Sequence, residues 1–174
     1  MFVEFLRKNV YVAGLLAIIR VYLGFQWVTS GWGKITGGTF SAEGFIQGSI
    51  AKAGGEHPAV QGWWATFLEH VALPGADVFT FLVMWGELLV GIALILGLFT
   101  NFAALMGITM NFAFLFSGTI STNAQMVLLT IFLLVAGYNA GRFGFDRYVL
   151  PFLKKRILQK KGNNQQYGNT IEAQ

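Results

Sequence analysis

The chain has no cysteine and only two histidines, and these absences exclude several kinds of redox centre. Without Cys, its 174 residues cannot form a disulfide framework, a cysteine-ligated iron–sulfur cluster or a thiol-based redox site. His57 and His70 both lie outside the long apolar runs, so a bis-histidine haem inside a helical bundle would have no ligands. We therefore expect no metal and no redox group on the polypeptide itself.

Charge is also scarce, and its scarcity indicates a membrane protein. Charged residues make up 11% of the chain and hydrophobic residues 55%, whereas a soluble domain carries about 25% charged residues. The apolar residues come in runs close to the roughly 20 residues that cross a bilayer as a helix. The composition predicts an all-α membrane protein with no separate soluble domain of ordinary size.

The positive net charge does not indicate a nucleic-acid-binding protein. The formal net charge is +4, but the basic residues are concentrated near the chain ends, where they flank apolar runs. The sequence contains no basic and aromatic motif of a nucleic-acid module. We expect the lipid bilayer, and no nucleic acid, as a partner.

Four apolar runs predict a four-helix transmembrane bundle. They cover residues 10–32, 78–99, 102–117 and 124–140. The long connection over 33–76 predicts one or two short interfacial helices, above all at 58–73, with an ordinary packed loop as the alternative. Residues 1–150 would then form the membrane domain, and the basic stretch 151–174 a disordered cytoplasmic tail.

The distribution of basic residues predicts the orientation of the bundle. Arg and Lys are frequent from Arg142 onward, whereas the two short later links contain none. The positive-inside rule then places both termini in the cytoplasm and the long connection outside. The expected location is the plasma membrane, with several passes.

Three strongly polar residues lie near the middle of apolar runs. Counting from the cytoplasmic end of each run, a rise of 1.5 Å per residue puts Arg20 at about 15 Å, Glu87 at about 18 Å and Asn111 at about 14 Å. A charge at that depth costs several kcal/mol unless it has a partner. We therefore expect Arg20 and Glu87 to touch or share a ligand, with Asn111 nearby.

This polar cluster has two interpretations. It could lock two helices together, or it could bind an anionic or carbonyl-bearing ligand or handle a proton, and we favour the second. Trp27 and Trp85 would extend the lining of such a site. The candidate ligand-binding residues are thus Arg20, Glu87, Asn111, Trp27 and Trp85, with no metal ligand and no assigned catalytic residue.

The same polar positions fall within stretches that resemble a known family. The segments RVYLGFQWVTSGWGK over 20–34, ELLVGIALILGLFTN over 87–101 and GRFGFD over 141–146 are similar to the DoxX/DoxD family of small membrane proteins. The resemblance covers most of residues 10–150 and implies a four-helix membrane bundle. It also implies a link to respiratory or sulfur-compound redox systems, usually as a membrane subunit.

Three functions are compatible with these observations. The first is a membrane subunit of a quinone-linked or sulfur-compound-linked oxidoreductase system, in which quinone would be the bound cofactor and a partner subunit would supply the redox chemistry. The second is a small proton-coupled transporter that uses Glu87. The third is a membrane scaffold for a soluble enzyme. A homo-oligomer is compatible with each of them.

Overall fold

The computed structural model describes residues 1–156, which form helices and turns without a β-strand. In chain order the helices are α1 (Phe2–Lys8), α2 (Val10–Gly37), α3 (Ala42–Ala51), α4 (Gly62–Phe67), a π-helical turn (Leu68–Ala72), α5 (Ala76–Leu96), α6 (Thr100–Phe116), α7 (Asn123–Ala136), α8 (Tyr138–Gly141) and a stretch over 146–156. The predicted all-α class is thereby confirmed for the described residues.

The four predicted runs coincide with α2, α5, α6 and α7. Of these, α2 and α5 are long and apolar enough to cross a membrane, whereas α6 and α7 are shorter apolar helices of 17 and 14 residues. Contacts run from α2 to α5, from α5 to α6, from α6 to α7 and from α7 back to α2. The four helices therefore close a ring around one core.

Glycines set the register between α2 and α5, the most extensive helix contact in the fold. A Cβ built on Gly91 would lie 2.6 Å from the backbone nitrogen of Val28, and one on Gly31 would lie 2.6 Å from that of Leu88. The two backbones thus touch directly, as small residues allow in membrane helices. Later residues of α2 meet earlier residues of α5, so the helices are antiparallel and their register is fixed.

The connection after α2 folds into a cap over one end of the bundle. Helix α3 packs against the π-helical turn and α5, around a small cluster that includes Ile46 and Leu68. The backbone N–H of Ala42 donates to the Thr80 hydroxyl at 2.9 Å, and the Trp64 indole donates to the Ser117 hydroxyl at 2.9 Å. The predicted short helices of this connection are present, and their depth in the bilayer stays a prediction.

The opposite end of the bundle is closed by α1, α8 and the residues that follow α8. Helix α1, which the sequence analysis does not predict, meets α7 and α8: Arg7 donates to the Val135 carbonyl at 2.9 Å and Asn139 to the Leu6 carbonyl at 2.8 Å. The fourth predicted run is divided at Gly137, whose φ of 58° and ψ of −129° end α7. The last helical stretch, 146–156, enters the segment predicted as a disordered tail, and residues 157–174 lie outside the described part of the chain.

Candidate functional site

A cavity of about 540 Å³ lies between the cap and the adjacent end of the four-helix ring. Its wall is formed by α2, α3, α4, the π-helical turn, α5, α6, the link over 119–122 and α7. The volume falls within the range of roughly 300–1,000 Å³ that is typical of small-molecule sites. One wall includes Leu68 of the π-helical turn, a rare helix type that is frequent near functional sites.

Aromatic side chains are frequent in the wall of this cavity. Seven aromatic side chains line it: Trp27, Phe40, Phe45, Trp64, Phe67, Phe79 and Phe114. Two pairs of them also pack on one another, one between α3 and α6 and the other within α4. The rings of Phe45 and Phe114 meet edge to face at 5.8 Å, and those of Trp64 and Phe67 stack at 4.9 Å.

An ion pair with a buried carboxylate supplies the charge in the cavity. The Lys34 Nζ lies 2.6 Å from the Glu87 Oε2, and the Glu87 side chain is 1% exposed. Lys34 also donates to the Ser30 hydroxyl at 2.7 Å. An ammonium group has three donors, and these two bonds use two of them. The Lys34 Nζ also lies 5.4 Å from the centre of the Phe40 ring, so the ammonium borders the aromatic wall.

The predicted contact between Arg20 and Glu87 is wrong, and the helix register explains why. Glu87 is level with Gly31, since a Cβ on Gly31 would lie 3.1 Å from the Glu87 Cβ. Arg20 lies instead against Gly97, just after the end of α5. With 1.5 Å of rise per residue, Arg20 and Gly31 are about 16 Å apart along α2. The predicted contact requires the ends of the first two spans to be level, whereas α2 begins well beyond the end of α5.

Arg20 belongs to a tightly packed closure at the other end of the bundle. It is 2% exposed, and its Nη2 donates to the Phe143 carbonyl at 3.2 Å. A Cβ built on Gly144 would lie 2.7 Å from the Cα of Gly97, so both glycines leave room only for backbone around the guanidinium. Arg20 does not line the cavity, and its contacts with Gly97 and Phe143 are those of a residue that holds helix ends together.

Asp146 completes this closure. Its two carboxylate oxygens accept from the backbone N–H groups of Phe99 at 2.6 Å and Thr100 at 2.9 Å, at the start of α6. A carboxylate at a helix N-terminus satisfies free N–H groups and interacts favourably with the helix dipole. The segment GRFGFD, residues 141–146, therefore pins the turn between α5 and α6.

The remaining predicted residues divide between core, cavity and surface. Trp27 lines the cavity, and its indole lies beside Gly107. Asn111 is 0% exposed but does not line the cavity, and its amide nitrogen and oxygen have no hydrogen-bond partner within residues 1–156. Its neighbour Met110 meets Gly86, which puts Asn111 level with Glu87. Trp85 is 41% exposed on the outside of the bundle, beside Phe81.

Comparison with known proteins places the chain in a family. The sequence model of the DoxX family matches residues 15–120, more than half of the chain. The chain belongs to the DoxX family. Together with its two long apolar helices, this membership identifies a membrane protein and confirms the resemblance seen in the sequence. No curated protein and no solved structure matches the chain.

The DoxX match includes both charged positions of α2, although they have different surroundings. Arg20, at one end of the stretch 20–34, contributes to the closure, and Lys34, at its other end, faces the cavity. Lys34 is not among the predicted site residues because the apolar run ends near residue 32. Ser30 and Lys34 stand one helical turn apart, and Gly38 ends the helix with a φ of 65°. Because glycine is common at this position of a helix end, Gly38 in the sequence could have extended the predicted first helix past Lys34.

The ion pair predicts strong energetic coupling between Lys34 and Glu87. Lys34→Met leaves Glu87 buried and unpaired, which should cost about 3–5 kcal/mol of folding free energy. The double change Lys34→Met with Glu87→Met should cost clearly less than the sum of the two single changes. Unfolding of the four proteins in one detergent measures this coupling.

A second pair of changes provides the control for this cycle. Arg20→Met and Glu87→Met should add, because the two side chains lie at different levels of the bundle. Additive effects for Lys34 and Glu87, or coupling between Arg20 and Glu87, would contradict the assignment.

Proposed function

We propose that this DoxX protein is an integral membrane subunit of a quinone-linked oxidoreductase system and that the quinone ring binds in the cavity beside Lys34. The observation that carries the proposal is a single arrangement: an aromatic cavity whose charges form a compensated pair with one ammonium donor left over. DoxX membership favours an oxidoreductase-related role.

The charge balance of the cavity favours a neutral ligand over an anion. Lys34 is paired with Glu87 at 2.6 Å, so the pair offers little net charge to an ion such as a sulfur oxyanion. An anion would also have to lie near the Glu87 carboxylate. A carbonyl oxygen, in contrast, needs only one good donor, and the third N–H of Lys34 can supply it.

The shape and chemistry of the wall favour a flat ring with an apolar substituent. Stacked and edge-to-face aromatic rings such as Phe45, Trp64 and Phe114 offer surfaces on which another ring can pack. Gln26 and Asn123 also line the cavity. Each amide nitrogen donates one N–H within the protein, to the Tyr22 hydroxyl and the Thr119 carbonyl, and has a second N–H for another carbonyl. In this proposal Trp27 forms part of the wall and Glu87 orients Lys34. Asn111 packs in the core at the same level as the ion pair and does not contact the quinone.

The chain would bind the quinone but would not reduce it alone. It has no cysteine, and its side chains supply no group that transfers electrons, so a partner subunit or a second bound cofactor has to deliver them. The same ion pair is also compatible with proton-coupled transport, which is the alternative. A buried carboxylate such as Glu87 can release its basic partner and take up a proton instead. Substrate-dependent proton uptake in proteoliposomes would favour transport, and its absence favours the quinone-binding subunit.

We further propose that α2, α5, α6 and α7 all cross the plasma membrane, with both termini in the cytoplasm and the cavity near the outer surface. The basic residues after Arg142 support this orientation through the positive-inside rule. The shorter α6 and α7 are packed into the same ring as the two long helices. This packing supports the proposal that all four helices cross the bilayer.

This topology predicts the labelling of single cysteines in sealed cells. The chain has no native Cys, so each introduced thiol reports alone. Gln47→Cys, exposed in the cap, should react with a membrane-impermeant maleimide, and Lys155→Cys, exposed near the other end, should react only after the cells are opened. Labelling of Lys155→Cys in intact cells would overturn the proposed orientation.

The quinone proposal predicts that Lys34 determines binding. A short-chain quinone titrated into the protein in nanodiscs should bind the wild type, and Lys34→Met should weaken binding by about 10-fold or more, since a hydrogen bond from a charged donor contributes about 1.5–3 kcal/mol. The matched control is Lys52→Met, which removes an exposed lysine of the cap that does not line the cavity.

A second variant separates a binding defect from a folding defect. The double change Lys34→Met with Glu87→Met leaves no lone charge in the bundle, so the protein should fold and still bind poorly. Wild-type affinity in a folded double variant would show that the cavity ion pair does not hold the quinone.

A further inference from the structure

A second, shallower pocket lies at the closure end of the bundle, far from the cavity. It has a volume of about 390 Å³ and is bordered by Leu96, Arg142, Arg147 and Tyr148 together with the backbone around Gly144. None of these residues borders the cavity beside Lys34. The ligand of this pocket must therefore be inferred from its own residues.

Among the described residues, the two arginines of this pocket have no partner that would compete with a bound anion. Within residues 1–156, Arg142 and Arg147 make no ion pair and no side-chain hydrogen bond. Asp146 lies between them in sequence, but both of its carboxylate oxygens accept from the backbone of Phe99 and Thr100. The nearest acidic group in sequence is thus already engaged.

The backbone that carries these arginines is firmly held. Phe145 donates to the Leu96 carbonyl at 3.2 Å, and Asp146 donates to the Gly97 carbonyl at 2.8 Å. The Arg20 Nη2 also donates to the Phe143 carbonyl. The backbone at both arginines is therefore fixed against the end of α5 before a ligand binds. This reduces the conformational entropy that is lost on binding.

The position of the pocket matches the boundary between lipid tails and headgroups. Leu96 is the last residue of the apolar helix α5. Phe143, Phe145 and Tyr148 are 52%, 53% and 69% exposed, and exposed aromatic rings beside arginines at a helix end are typical of the membrane interface. An anion that reaches this point is most readily one that is anchored in the membrane.

We propose that this pocket binds the phosphate of an anionic phospholipid headgroup, with Arg142 and Arg147 as its donors. Guanidinium groups form strong paired hydrogen bonds to phosphate oxygens, and basic pockets at the ends of membrane helices bind anionic headgroups. The exposed aromatic rings would contact the upper part of the acyl chains. The proposal does not depend on the function of the cavity.

The test compares lipid retention by the full chain in mixed vesicles. Wild-type protein in phosphatidylcholine vesicles with a minor fraction of phosphatidylglycerol should be enriched in phosphatidylglycerol, as measured by native mass spectrometry or by the motional restriction of spin-labelled lipids. Arg142→Gln with Arg147→Gln should lower that preference by roughly tenfold or more. Lys154→Gln with Lys155→Gln, which removes the same charge from exposed helical positions outside the pocket, should keep it.

Two more measurements distinguish a lipid site from a general charge effect and from a site for free phosphate. Arg147→Gln alone changes an exposed side chain, so it should fold normally and still reduce the preference. Equal losses in the arginine and lysine variants would show a general surface-charge effect and overturn the proposal. Displacement of the lipid by millimolar inorganic phosphate would also overturn it, because the site would then be one for the free ion.

Discussion

The close backbone contact between α2 and α5 fixes everything else in this bundle. Gly31 and Gly91 allow the two helices to touch without intervening side chains, and lipid offers no hydrophobic force that could replace such packing. Once the backbones touch, sliding one helix along the other would drive side chains into backbone. The register that results decides which polar group on α2 meets which on α5.

That register separates two polar centres that have different physical characters. At the closure end, Arg20 is surrounded by backbone, and the nearby Asp146 is engaged with the N-terminus of α6. At the cap end, Lys34 and Glu87 meet beside an aromatic cavity of about 540 Å³. Neither Arg20 nor Asp146 lines the cavity or the shallower pocket, so the first centre stabilises the fold, whereas Lys34 and Glu87 both line the cavity.

Much of the fold was accessible from the sequence, because the bilayer imposes a strong pattern. The apolar runs located α2, α5, α6 and α7 closely, and the motif stretches pointed to the DoxX family. The buried state of Arg20, Glu87 and Asn111 was also expected, since a polar residue inside an apolar run has to face the protein.

The pairing of these residues was not accessible from the sequence, because counting from the ends of apolar runs does not give the register between helices. The glycine contacts set that register, and they place Arg20 level with Gly97. Lys34 was missed for a related reason: the apolar run ends before α2 does. The cap that encloses the cavity depends on long-range contacts such as Trp64 with Ser117, which leave no local signal.

The proposed function depends on the binding of a membrane-soluble quinone ring in the cavity beside Lys34 and Glu87. Photolabelling with an azido-quinone in native membranes, followed by peptide mapping, tests it most directly. Such binding predicts labelling of cavity-wall residues on α2, in the cap and on α6, such as Trp27, Phe45 and Phe114, and loss of that labelling when unmodified quinone is in excess. Labelling confined to the outer surface around Trp85, or labelling that excess quinone does not reduce, would contradict it.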